Sequence, residues 1–403
     1  MRALEPDAPR DATTDGATFT QLLDWLNAHA DALLDDPGNN VIGVGIGKKS
    51  AGPLDDDSPY CITGFVEKKL PQTQVSAMGV ASFAAAVASA SGQRQPKALG
   101  FEIDVVETGS PFVAHAGLKV PRALRGAHGG PPASLDLQKR FGLLRSGIGI
   151  TNPHRAYPKT LSVGTLGFFV RDDRGRTYLV SNNHVIADEN AGQPGDVVVQ
   201  PGTLDLTSSE LALMNTLAKL TTQTGIARLA AWVDLKFHDP HGIPFNAVDC
   251  AAAELKAPPK APARDVTEIA RAGLGGNIVG VASPYTIDPI TGRVAGSTRV
   301  CKVGRTTGWT EGEVTQIAVV TDVRYGAGLA RFRNQIGIAA SPDNTGPFSK
   351  AGDSGSGILD RDHKLVGLLF AGSENRTLAN PIQPVLDALR IALGVTTLDV
   401  VIA

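Results

Sequence analysis

From residue 146 onward the chain is a succession of short apolar runs set between turn residues. They fall at 165–171, 177–181, 197–200, 231–237, 249–255, 298–303, 312–320, 331–338, 357–359 and 366–370. Runs of this length and spacing predict short strands that close into a barrel or stack as a sandwich. The turns have ample material, with 45 glycines and 26 prolines in 403 residues. Lys256-Ala257-Pro258-Pro259-Lys260-Ala261-Pro262 interrupts the series. A prolyl segment cannot join a central strand, so it is expected to divide the β region into halves at about 160–255 and 297–383. Helical insertions are expected at Ser208 to Leu220 and at Pro384 to Leu393.

The first part of the chain reads differently. Residues 1–18 are polar and predict a flexible tail. Phe19, Leu22, Leu23, Leu26, Ala30, Leu33 and Leu34 have helical spacing, with Thr18 or Thr20 to cap the start and Pro37-Gly38 to end it. Val41 to Gly47 reads as a glycine-rich strand, Cys61 to Glu67 as a second and Gly100 to Glu107 as a third. A small-residue helix is expected over Val75 to Ala90. Together these predict an α/β domain at 19–110. A linker or arm with four prolines follows at 111–145. The main body spans 146–393, and 394–403 is a C-terminal tail.

Charge and patterning remove several function classes. The chain has 38 basic and 40 acidic side chains, a formal charge of −2, which argues against a nucleic-acid partner. The run 75–90 is too short and too weakly apolar to span a bilayer, so no membrane role is expected. The N-terminus shows no secretory pattern. Cys61, Cys250 and Cys301 are far apart and odd in number, which predicts no disulfide framework and a cytoplasmic setting. No cofactor is expected. Gly43 to Lys48 evokes a phosphate loop, but Ile42 and Lys49 stand where that pattern needs Gly and Ser or Thr. His238-Asp239-Pro240-His241 lacks the helical spacing of a metal site and reads as a polar loop, and no metal is predicted. Lys48, Lys49, Lys68 and Lys69 read as a solvated face.

Three local features carry chemistry. Tyr178 to Ile186 runs a strand into a polar turn that presents His184. Val248-Asp249 places an acid at the head of a small apolar strand. Ala351 to Leu359 sets Ser354 in a glycine-dense turn. A serine hydroxyl is a weak nucleophile unless a base takes its proton. Histidine suits that task because its pKa lies near neutrality. A carboxylate behind the imidazole fixes its tautomer and stabilises its charged form. Glycines let the chain turn sharply and aim the N–H groups of Gly352 and Ser354 at one point, as an oxyanion hole requires. Asp234 is the rival acid; Asp249 is preferred for the strand that follows it.

These residues resemble a known family. Gly352-Asp353-Ser354-Gly355-Ser356 is similar to the nucleophile loop of trypsin-like and chymotrypsin-like serine peptidases. Ser181-Asn182-Asn183-His184-Val185 resembles their histidine segment, and Val248-Asp249 their aspartate segment. The order His184, Asp249, Ser354 is that family's order. Lys302 to Thr310 resembles the segment opening the second barrel of bacterial streptogrisins. Gly367 to Ser373 resembles the substrate-pairing strand, and Asn380-Pro381-Ile382 the closing strand. The Ser-Asn-Asn-His variant and the added N-terminal unit are closest to a branch of bacterial trypsin-like proteins similar to the plant narrow-leaf peptidase. The alanine and cysteine that usually flank the histidine are absent, so the familiar disulfide there is not expected. No activation site precedes a β-branched residue near 160, so insertion of a new N-terminus is not expected either.

The resemblance implies a mainly β fold: two six-stranded antiparallel barrels preceded by the small α/β domain. It implies a serine endopeptidase acting on protein or peptide substrates through His184, Asp249 and Ser354. Phe348, Phe370, Ala371 and Gly372 match substrate-binding positions, and Phe348 implies a small or apolar residue at the cleavage position. A homo-oligomer is compatible with the sequence. The alternatives are a regulated or silent peptidase-fold scaffold for protein interaction, and an α/β-hydrolase esterase. The esterase would need the reverse residue order and Gly at 356, where Ser stands.

Overall fold

The computed structural model describes residues 18–402 apart from 50–51, 53, 55–57, 71–80, 94–99, 115–119, 122–136, 143, 154–156, 256–267, 270–275, 288–293 and 296–297. Residues 1–17 of the expected 1–18 tail, most of the 111–145 arm and the prolyl divider at 256–262 lie outside the described residues. So does the first part of the 75–90 helix.

The chain is mainly β. Strands β1 (Val41–Lys48), β2 (Tyr60–Val66) and β3 (Glu102–Glu107) belong to the first part, and β4 (Val113–Ala114) follows. Helix α1 (Phe19–Asp35) begins with Thr18 and Gln21 capping each other's backbone, which decides between the two expected caps. It buries Phe19, Leu22, Leu26, Ala30 and Leu33, the stripe read from the sequence. Helix α2 spans Phe83–Ala90.

The first half of the body holds β5 (Phe168–Asp172), β6 (Thr177–Ser181), the one-turn helix α3 (Asn183–Ile186) and β7 (Val197–Val199). Helices α4 (Ser208–Leu213) and α5 (Leu217–Thr224) form the expected insertion, and β8 (Gly225–Trp232) and β9 (Ala251–Leu255) complete this stretch. The second half holds β10 (Arg299–Gly304), β11 (Gly308–Arg324), β12 (Leu329–Ala340), β13 (Gly357–Asp360), β14 (Lys364–Gly372) and β15 (Thr377–Pro381). Helix α6 (Ile382–Leu393) and strand β16 (Leu398–Val400) end the chain.

Each half rests on six antiparallel strands. In the second, β10–β11–β12–β15–β14–β13 returns to β10, so the barrel closes. In the first the order is β7–β8–β9–β6–β5–β16, all antiparallel. Its sixth strand comes from 398–400, inside the segment expected as a C-terminal tail. Asp399 pairs with Arg171, and Leu398 enters the core beside Phe168 and Leu389.

The first part does not stand apart from the second barrel. Strand β1 pairs antiparallel with β11, and β1–β2–β3 extend the same sheet. The glycines of β1 permit this approach: a Cβ at Gly47 would lie 2.9 Å from the Thr315 carbonyl oxygen. Helix α1 adds an ionic clamp. Arg331 on β12, 1% exposed, contacts Asp31 at 3.1 Å, Asp35 at 2.8 Å and Asp322 at 2.9 Å. No helix among the described residues is long and apolar enough to cross a membrane.

Candidate active site

The histidine and the acid meet. Strand β6 ends at Ser181, and α3 presents His184 one turn later. His184 Nδ1 lies 2.5 Å from Asp249 Oδ2. Asn182 closes the same corner by donating its amide to the Asp249 carbonyl at 2.7 Å. The Asp249 N–H donates to Asn380 Oδ1 at 3.0 Å, and Asn380 donates onward to Gln335 at 2.6 Å. Asp249 is thereby fastened to both halves of the body. Asp234, the rival acid, is exposed and accepts from the Trp232 indole at 2.9 Å, away from this corner.

A second group holds the carboxylate, and sequence reasoning missed it. Tyr325 Oη donates to Asp249 Oδ2 at 2.9 Å, and its ring meets the imidazole edge-on at 5.8 Å. Burial, then the Asp249 charge beside it, pushes the phenol's pKa well above its ordinary value, so it remains a donor. Tyr325 sits in the β11–β12 turn. That turn is gripped from the first half, where the Glu189 carboxylate accepts from the N–H groups of Gly326 at 3.2 Å and Ala327 at 2.7 Å. Asp188, Glu189 and Asn190 all have left-handed φ values of 50°, 54° and 76°. Asn183 and Asn190 pin this costly backbone through bonds of 2.7 and 3.0 Å. No local motif marks Tyr325; only the long hairpin brings it to the acid.

Ser354 lies in a turn whose glycines are required. Gly352 and Gly355 have φ of 95° and 92°. A Cβ on Gly355 would collide with Ser181 Oγ and the Thr165 carbonyl, so the serine turn packs against the strand that delivers the histidine. Thr165 binds it twice: its N–H donates to the Ser354 carbonyl and its hydroxyl to the Gly352 carbonyl, both at 2.8 Å. Ser354 Oγ donates to the Phe370 carbonyl at 3.3 Å. His184 Nε2 is buried and finds no hydrogen-bond partner among the described residues.

Beneath the turn lies a buried ion pair. Asp353 Oδ2 is 3.6 Å from Lys302 Nζ, with both side chains fully buried. The carboxylate also accepts from the Thr306 and Lys350 N–H groups at 2.7 and 2.9 Å and from the Thr307 hydroxyl at 2.7 Å. Burial alone would raise the Asp353 pKa, but Lys302 and these donors outweigh it and hold it below the usual carboxylate value. Burial lowers Lys302, against the pull of Asp353. An in-chain cation therefore fills the place beside this acid.

The four predicted substrate-binding residues divide into two kinds. Phe348 is 2% exposed and packs with Ile338, Ile358 and Leu369; Phe370 is fully buried, 4.7 Å from Phe332. Their rings belong to the core, and Phe370 reaches the site through its carbonyl. Phe348 also borders a cavity of about 570 Å³ shared with Ser349, Ser373, Glu374 and Thr377. Ala371 and Gly372 follow Phe370 on β14, and both are buried. His238, from the loop weighed as a metal site, faces Asp322 at 3.2 Å.

No protein-family model and no curated protein sequence matches the chain. Among solved structures it is similar to Thermobifida fusca protease A, at 18% identity and a TM-score of 0.39, covering 65% of this chain and all of that one. It is similar to Cellulomonas bogoriensis chymotrypsin at 19% identity and 0.35, covering 59% and 91%. The Nocardiopsis protease aligns at 17% identity and 0.36, covering 64% and 98%.

Proposed function

We propose that this chain is a serine endopeptidase working through an acyl-enzyme intermediate. The carrying observation is the His184–Asp249 contact of 2.5 Å with the far imidazole nitrogen buried and unpartnered. A buried polar atom left without a partner is costly, and a base awaiting a proton accounts for it. The Nδ1 contact fixes the tautomer that exposes a lone pair on Nε2.

In this reading Ser354 attacks the peptide carbonyl while His184 takes its proton. The N–H groups of Gly352 and Ser354 receive the oxyanion. His184 then returns the proton to the leaving amine, and water repeats the sequence on the acyl ester. In the free protein Ser354 Oγ rests on the Phe370 carbonyl, and apo sites commonly tighten only when substrate binds. The Lys302–Asp353 pair holds the turn without a new N-terminus. A small or apolar residue at the cleavage position belongs to this reading, through Phe348.

A second reading, a latent peptidase fold, is favoured by the burial of the site: Ser354 is 0% and His184 1% exposed. Labelling with a fluorophosphonate, wild type against Ser354→Ala, tests the first. Labelling that requires Ser354, with peptide cleavage in a proteome-derived library, supports it. Absence of any Ser354-dependent adduct overturns it.

A further inference from the structure

The strand that touches Ser354 already carries a passenger. Ser354 Oγ contacts the Phe370 carbonyl, so a peptide offering its carbonyl to this serine would come close to β14 near residue 370. One side of β14 there is taken by β15, where Ala371 pairs with Leu378 and Gly372 with Thr377. The other side would be open for strand addition. In this structure β4 fills it, antiparallel, with Ala371 opposite Ala114 and Gly372 opposite Val113.

This segment is well anchored. The Arg324 N–H donates to the Phe112 carbonyl at 3.0 Å, and Arg324 pairs with Val113. Phe112 is 1% exposed and stacks edge-on against Phe65 at 5.6 Å. Ala114 is 1% exposed and Val113 is 41% exposed. Alternation of this kind is how an added strand is read by pockets on one face. Upstream, the Thr108 N–H donates to the Val66 carbonyl at 2.9 Å and the Asn375 N–H to the Thr108 carbonyl at 3.0 Å.

We infer that the chain's own Pro111–Ala114 is an internal occupant of β14 at Ala371–Gly372, and that it must leave before another extended peptide can pair there. Peptides alternating a large apolar, an exposed and a small residue compete for the same place. The occupancy is assigned by backbone pairing; only its link to cleavage rests on the peptidase reading of Ser354.

The test separates the two. Ala114→Pro removes an N–H from the added strand and disfavours its pairing. In a Ser354→Ala background, a fluorescent peptide copying residues 109–114 should bind the Ala114→Pro protein and not its parent, by anisotropy. Equal binding to both, or binding to neither, overturns the inference. With Ser354 present, Ala114→Pro should label with fluorophosphonate about tenfold faster than wild type or more, since labelling then no longer waits for a minor open state. Selective peptide binding without labelling in any variant sinks the peptidase reading and leaves the assigned occupancy standing. Should Ala114→Pro fail to fold, hydrogen exchange on the wild type decides. Slow exchange of 111–114 together with 370–372 supports a docked strand, and fast exchange of either overturns it.

Discussion

Two buried carboxylates, Asp353 in the serine turn and Asp249 beside His184, are partnered in opposite ways. Asp353 faces a permanent cation, Lys302, plus a shell of N–H and hydroxyl donors. Asp249 faces an imidazole and a phenol, neither of which carries a fixed positive charge. A buried acid that only shapes a turn is best served by a lasting partner. An acid that supports proton transfer needs a partner whose charge appears during the reaction. The contrast separates what holds the serine turn from what, in the proposed reading, would activate it.

Variants can break or sharpen this contrast. The largest effect is expected from Asp249→Asn, which should lower the acylation rate by about four orders of magnitude while leaving the denaturation midpoint near wild type. Stopped labelling kinetics and a urea titration read both, and unfolding without a separate rate defect would erase the distinction. Lys302→Met should do the reverse. It strands a buried carboxylate and should cost about 3–5 kcal/mol of stability; a loss below about 1 kcal/mol would show that the pair is not structural.

Tyr325→Phe removes one hydrogen bond to the Asp249 carboxylate. It should cut kcat about tenfold with KM nearly unchanged, as for a hydrogen bond to a charged group. A shift confined to KM, or none, would remove Tyr325 from the positioning role. The smallest effect concerns pH. The folded Asp353 carboxyl lies below its ordinary value, so its stabilisation is complete above about pH 4 and is lost as pH falls through the folded value. Melting temperature should therefore drop in acid for the wild type, and Asp353→Asn should lack that part of the slope.

Legibility followed the range of each interaction. His184, Asp249 and Ser354 each sit in a local pattern of strand, turn and glycine, so the sequence displays them. Five of the six strands of the closed barrel could be read as apolar runs between turns, and β15 was reached only through the resemblance of Asn380-Pro381-Ile382 to a closing strand. Tyr325 could not, because its partner lies across the hairpin and no neighbour in sequence hints at it. The pairing of β1 with β11 escaped for a similar reason: a glycine-rich strand advertises close approach but does not name its partner. Lys302 was visible only as part of a resembling segment, and its burial against Asp353 is a tertiary fact. Phe348 and Phe370 were matched to pocket positions through the resemblance alone; that both are buried, and that Phe348 also borders a cavity, are tertiary facts.

Strand β16 has a bearing on how the molecule is made. The sheet that delivers His184 and Asp249 takes its outermost strand from 398–400, while the opposing barrel can close with β15. On a ribosome, the serine's barrel therefore has all its strands before the histidine's half does. Contacts of such long sequence separation form late and slowly. The corner where His184 meets Asp249 is thus framed by a sheet that is completed only after the barrel carrying Ser354 has all its strands.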